Sequence, residues 1–120
     1  MRIIIAGTRT FNDFEFLKSE MAKFRASLQK ESPLEVVSGC AKGADTLGES
    51  WASQEGLKIH RYPADWNKNG KAAGPLRNVQ MADNAEACVI FWDGKSSGSK
   101  HMIATAIAKG LITKVVRYEV

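Results

Sequence analysis

Cys88-Val89-Ile90-Phe91-Trp92, followed directly by Asp93-Gly94-Lys95-Ser96-Ser97-Gly98-Ser99, holds the main clue to the architecture. The first five residues are apolar without the alternation of a half-exposed strand, and they run straight into a glycine–serine loop. A run apolar on both faces belongs inside a parallel sheet covered by helices on each side. Ile3-Ile4-Ile5 near the start of the chain has the same character and also ends at a glycine, Gly7.

From these two runs the remaining pattern can be read in both directions. Shorter apolar runs at Glu35–Ser38, Leu57–Tyr62 and Thr113–Tyr118 join Arg2–Ala6 and Glu86–Trp92 as predicted strands. Helical stripes separate them. Phe14, Leu17, Met21, Phe24 and Leu28 advance by three or four residues; Ala44, Leu47, Trp51 and Ala52 repeat the period before Gly56. Pro75 is expected to open a third helix with Leu76, Val79 and Ala82 inward. Ser99 is expected to cap a fourth with Met102, Ile103, Ala106 and Ile107 inward, ending at Gly110. Five strands alternating with four helices imply a single α/β domain over 1–120: a Rossmann-like, three-layer fold with a five-stranded parallel sheet and right-handed crossovers. The first and fourth strands read as central neighbours, which the order 3-2-1-4-5 satisfies.

Bulk properties narrow the function classes. A chain of 120 residues that is 44% hydrophobic and 25% charged can bury a core without metals or disulfides, which excludes disorder and a cysteine-stapled miniprotein. No apolar run reaches the roughly 20 residues of a membrane span, and the four-residue run before Gly7 is too short for a signal peptide. Cys40 and Cys88, with no metal-ligand spacing, read as free thiols, so a cytoplasmic protein without metal or cofactor is expected. Residues 1–60 balance 8 basic against 8 acidic groups, while residues 61–120 carry 9 against 5. An anionic small molecule fits that excess better than nucleic acid does.

In an open α/β sheet, ligands bind outside the carboxyl ends of the strands, where the strand order reverses. The loops there supply the candidate residues. Gly7, Thr8 and Arg9 offer close backbone approach, a hydroxyl and a paired cationic donor, or form a plain strand-to-helix turn. The dinucleotide fingerprint G-x-G-x-x-G is absent. Ser38, Gly39, Lys42 and Gly43 precede a helix whose positive end suits phosphate. Asp45 is a cap or a ligand-facing acceptor, and Cys40 lacks a base that would make it a nucleophile. In the third loop Asp65 and Trp66 could read and stack a nucleobase, or Trp66 could pin the loop. Arg77 and Asn78 sit in the next helix's first turn. The fourth loop brings Asp93, Gly94, Ser97, Gly98 and Ser99 to the point of reversal. Asp93, with Asp65, is the candidate catalytic carboxylate if the protein is an enzyme. His101 reads as a surface histidine and His60 as structural.

Five ordered blocks, Ala6–Arg9, Ser38–Asp45, Pro63–Trp66, Gly74–Met81 and Phe91–Met102, together resemble the YspA-type, YpsA-related branch of the SLOG superfamily. That group includes LOG phosphoribohydrolases, the DNA-processing protein Smf/DprA and sensors of NAD-derived nucleotides, and its small members occur in bacteria and their phages. The resemblance implies a Rossmannoid domain that binds a nucleotide or a derivative such as ADP-ribose. It implies, as alternatives, an N-glycosidase of phosphoribohydrolase type or a single-strand nucleic-acid binder, and by analogy a homodimer or higher homo-oligomer. Three positions, in two motifs, depart from the pattern. Cys40 and Lys42 stand where Gly-Gly-Ala-Arg-Gly-Ala-Asp has its second glycine and its arginine. Met102 falls where Gly-Gly-x-Gly-Thr-x-x-Glu has its glutamate. A thioether supplies neither charge nor a proton, so hydrolysis would fall to Asp65, Asp93 or Asp45.

Overall fold

A computed structural model describes residues 1–28 and 33–119. Five strands, β1 (Arg2–Gly7), β2 (Glu35–Ser38), β3 (Lys58–Arg61), β4 (Ala87–Trp92) and β5 (Ile112–Arg117), form one all-parallel sheet in the order β3-β2-β1-β4-β5. The two apolar runs are indeed adjacent: Ile3 to Gly7 pair with Ala87 to Phe91. Helices α1 (Phe14–Ser27) and α2 (Ala44–Gln54) cover one face, α4 (Ala73–Asp83) and α5 (Ser97–Ala108) the other. The fold is thus the α/β, Rossmann-like arrangement expected of the pattern.

Alternation within the central strands sorts side chains between two cores. Ile3, Ile5, Val36, Val89 and Phe91 meet Leu17, Met21 and Phe24 of α1 and Trp51 of α2. Ile4, Ala6, Val37, Cys88 and Ile90 meet Met81 and Ala82 of α4 and Met102 and Ala106 of α5. Burial raises the Cys88 thiol far above the ordinary cysteine range, so it behaves as a small core hydrophobe. The edge strands are the least covered: Lys58 and Arg61 of β3, and Ile112, Val115 and Arg117 of β5, face solvent. No helix among the described residues is long and apolar enough to cross a membrane.

Several local expectations are corrected. The third loop contains its own short helix, α3 (Trp66–Asn69), and a 3-10 turn (Gly70–Ala72) leading into α4. The start of α4 is therefore Ala73, and Pro75 falls inside its first turn. The buried face of α4 is Ala73, Asn78, Met81 and Ala82, whereas Leu76 and Val79 are exposed. The apolar residues of this segment fit two helical phases, and the one adopted buries Asn78, whose amide reaches Gly98 and His101 of α5. Ser96, not Ser99, caps α5: its Oγ accepts from the Ser99 N–H, while Ser99 itself is buried. With the cap moved back, Met102 and Ala106 face the sheet, Ile103 is half-buried and Ile107 is exposed.

Candidate functional site

All strands are parallel, so their carboxyl ends share one rim, and the order reverses between β1 and β4. Hydrogen bonds tie the two loops at that point together. Thr8 N–H donates to the Phe91 carbonyl at 2.9 Å, and the Asp93 N–H donates to Thr8 Oγ1 at 3.2 Å. A Cβ on Gly7 would collide with the Phe91 carbonyl, so only glycine permits this seam. Gly43 has φ 78°, and a side chain there would strike the carbonyls of Thr8 and Arg9. That contact lets the α2 N-terminus close against the first loop, where Ala44 N–H reaches the Thr8 carbonyl.

Above this seam lies a cleft of about 610 Å³. Its walls include Gly7, Thr8 and Arg9 from the β1 loop, Asp45 from α2, Trp66, then Arg77 and Asn78 from α4, and Ser97, Gly98 and Ser99 from α5. A second hollow of about 490 Å³ is lined by Gly39, Cys40, Lys42, Pro63 and Ala64 and shares Arg9, Trp66 and Arg77 with the first. The Arg9 guanidinium lies 5.8 Å from the centre of the exposed Trp66 ring, a cation–π contact that forms the partition between them.

Asp45 is buried, and its Oδ2 accepts the Ala41 N–H at 3.2 Å. Burial raises its pKa to about 6, opposed by the Ala41 hydrogen bond and by Arg77. It therefore caps the β2 loop and lines the cleft at once. Arg77 donates to the Gly39 carbonyl and, through Nε, to Asn78 Oδ1 at 3.1 Å. Burial lowers the Arg77 pKa, with Asp45 acting against it. Among the described residues, Arg9, Lys42 and Lys71 form no salt bridge.

The N-terminus of α5 opens into the main cleft. Helix geometry leaves the Ser97 and Gly98 N–H groups without intrahelical partners. The Ser99 hydroxyl, on a residue 5% exposed, has no hydrogen-bond partner among the described residues. Amides, the positive end of a helix and an unpaired buried hydroxyl make this corner suited to an anion.

Other expected residues lie outside the cavity walls. Asp93 Oδ1 accepts the N–H groups of Lys95 and Ser96 at 2.8 and 2.9 Å; the Ser96 and Lys95 bonds hold its carboxyl below the usual range. It shapes the β4 loop. Asp65 caps α3 by accepting from the Lys68 N–H. Ser38 Oγ donates to Glu49 and accepts from the Cys40 N–H. Gly94, with φ 84°, packs against the Arg117 guanidinium. The loop reading missed Thr10, Lys71, Met81, Ser96, His101 and Met102, which also line the cleft. His101 was legible only as a first-turn residue of α5; the Asn78 contact that makes it a cleft residue is tertiary.

Comparison with known proteins places the chain among relatives. The Gene 61 protein of Mycobacterium phage D29 is 36% identical over 118 residues, spanning 92% of this chain and 91% of that protein. No solved structure matches. The model of the YspA, cpYpsA-related SLOG family matches residues 1–69, which hold the Arg9, Asp45 and Trp66 loops. With more than half its length covered by that match, the chain belongs to the YspA, cpYpsA-related SLOG family.

Proposed function

We propose that the protein binds a phosphorylated ribose compound of the ADP-ribose type across the two hollows. Family membership supports a nucleotide-related ligand. The observation that carries the finer reading is the meeting of both hollows at Arg9, Trp66 and Arg77, beside the open N-terminus of α5. Phosphate would rest on the Ser97 and Gly98 amides and the Ser99 hydroxyl, with Arg9, Arg77 and Lys42 neutralising its charge. Trp66 would flank the base. Asp65 and Asp93 stand outside the walls of both hollows, so only a ribose that reaches past those walls would meet their carboxylates.

Calorimetric titration with ADP-ribose, AMP and NAD tests the reading. Arg9→Ala and Arg77→Ala should each weaken binding by about tenfold or more, the loss expected for a charge-assisted hydrogen bond. Circular dichroism should show both variants folded. Unchanged affinity in both would remove this site assignment.

Hydrolysis of the same ligand is the second reading, and one observation favours it. Asp45 is a cleft-lining carboxylate with a pKa near 6, suited to proton transfer near neutrality. Chromatography of AMP, NAD and ADP-ribose after incubation separates the two. Binding without any released base supports a non-catalytic protein.

A further inference from the structure

Asn78 and His101 form a relay whose hydrogen-bond directions follow from chemistry alone. Asn78 is 6% exposed, so its amide must find its partners within the protein. Arg77 Nε can only donate, and it lies 3.1 Å from Asn78 Oδ1. The Asn78 oxygen must therefore face Arg77, which turns its NH₂ group toward His101. There Nδ2 stands 3.1 Å from His101 Nδ1 and 3.5 Å from the Gly98 carbonyl, a second acceptor that fits the same orientation. Flipping the amide would set its NH₂ against the Arg77 N–H.

An amide N–H directed at His101 Nδ1 requires a lone pair on that nitrogen, so the imidazole carries its proton on Nε2. The Thr105 hydroxyl, 3.5 Å from Nδ1, is a more distant donor that would compete for the same lone pair. Nε2 has no protein partner among the described residues, and the half-buried ring lines the main cleft beside Ser97, Gly98 and Ser99. The result is a neutral N–H donor of fixed orientation beside the anion-suited end of α5.

We propose that His101, with its tautomer set by Arg77 through Asn78, is a ligand-contacting residue that donates from Nε2 to an acceptor oxygen of the bound molecule. This rests on the nucleotide-binding reading above and narrows it. The guest must present a lone pair at this corner, as a phosphate oxygen or a sugar oxygen next to the phosphate does. A group that only donates is turned away. Asn78 is a positioning residue in this scheme: it touches the cleft wall and controls which ring nitrogen bears hydrogen.

Nitrogen-15 NMR of the imidazole rings tests both halves, with His60→Gln assigning the two histidines. In the ligand-free protein at mildly alkaline pH, His101 should show a protonated Nε2 and an unprotonated Nδ1. Asn78→Asp, which can only accept, should reverse that pattern. A protonated Nδ1 in the wild-type protein overturns the inference and leaves the nucleotide reading standing. Adding inorganic phosphate, ribose 5-phosphate or ADP-ribose should then shift the Nε2 resonance. A shift with phosphate alone assigns the acceptor to phosphate, and a shift only with the sugar compounds assigns it to the ribose. His101→Ala should weaken ADP-ribose binding by about three- to tenfold, the range of a neutral hydrogen bond, and His101→Gln should restore most of it. Binding that leaves Nε2 unmoved refutes the contact. If no phosphorylated probe binds, the nucleotide reading fails and the contact falls with it, even where the tautomer is as derived.

Discussion

Cys40 shows how one residue can carry a local cost within a site. Its φ of 64° lies in the left-handed region, which costs a residue with a Cβ about 1–2 kcal/mol. The backbone here adopts a conformation that glycine prefers, although the residue is a cysteine. Its N–H is held by Ser38 Oγ, itself bonded to Glu49, so the surroundings enforce the turn. Cys40→Gly should raise stability by about 0.5–1 kcal/mol once the freer unfolded chain is counted, seen as an upward shift in thermal midpoint. Asp45 gives a pH prediction. Its raised pKa means that it takes up a proton as pH falls through about 6, removing a negative charge from the cleft proposed to hold an anion. Affinity for ADP-ribose, whose phosphates stay ionised there, should rise on acidification. Asp45→Asn should bind more tightly at neutral pH and lose the part of the pH dependence due to this carboxyl, which titration at several pH values reads. Loop residues such as Arg9, Trp66 and Arg77 stood out in the sequence because polar or aromatic side chains at strand ends have no core to fill. His101 did not, since a histidine on a first helical turn reads the same way whether it faces water or a cleft.

At the level of helices and strands, periodicity placed α1 and α2 well but only part of α4 and α5, where Ala82, Met102 and Ala106 are buried and Leu76, Val79 and Ile107 are not. Leu17, Met21 and Phe24 make one unambiguous stripe, and all three are buried. In α4, Leu76 and Val79 compete with Met81 and Ala82 for the inward position. The short α3 and the turn after it, which lead into α4, give no periodic signal in the sequence. The close approach of α2 to β1 was not visible either. Gly48 lies so near Ile5 that an added Cβ would sit 2.6 Å from Ile5 Cγ2. Gly48→Ala should therefore destabilise by about 1 kcal/mol, overpacking exceeding the gain in helix propensity. Urea denaturation would measure it. Ser96→Ala removes the α5 cap and should cost about 1 kcal/mol. The same change should weaken phosphate binding if the α5 terminus holds the anion, because the freed first turn no longer presents its amides in one geometry.

For the molecule as a whole, strand order and layering were legible because only central strands can be apolar on both faces. The place of the cleft at the rim followed from that topology, while its shape depended on contacts far apart in sequence, such as Gly7 with Phe91. Phe91 belongs to both stories. Its ring stacks on Phe11 with centroids 5.1 Å apart, and its carbonyl receives the Thr8 N–H. Phe91→Ala should cost about 3–5 kcal/mol and loosen the rim, lowering both the denaturation midpoint and nucleotide affinity.

The lightly covered margins of the sheet bear on self-association. Lys58 and Arg61 at one border, and Arg117 at the other, would crowd like charges together if two molecules tried to extend a shared ribbon. Such a join would also leave water-loving side chains stranded along the new seam. Charge at these borders weighs against polymerisation by strand addition.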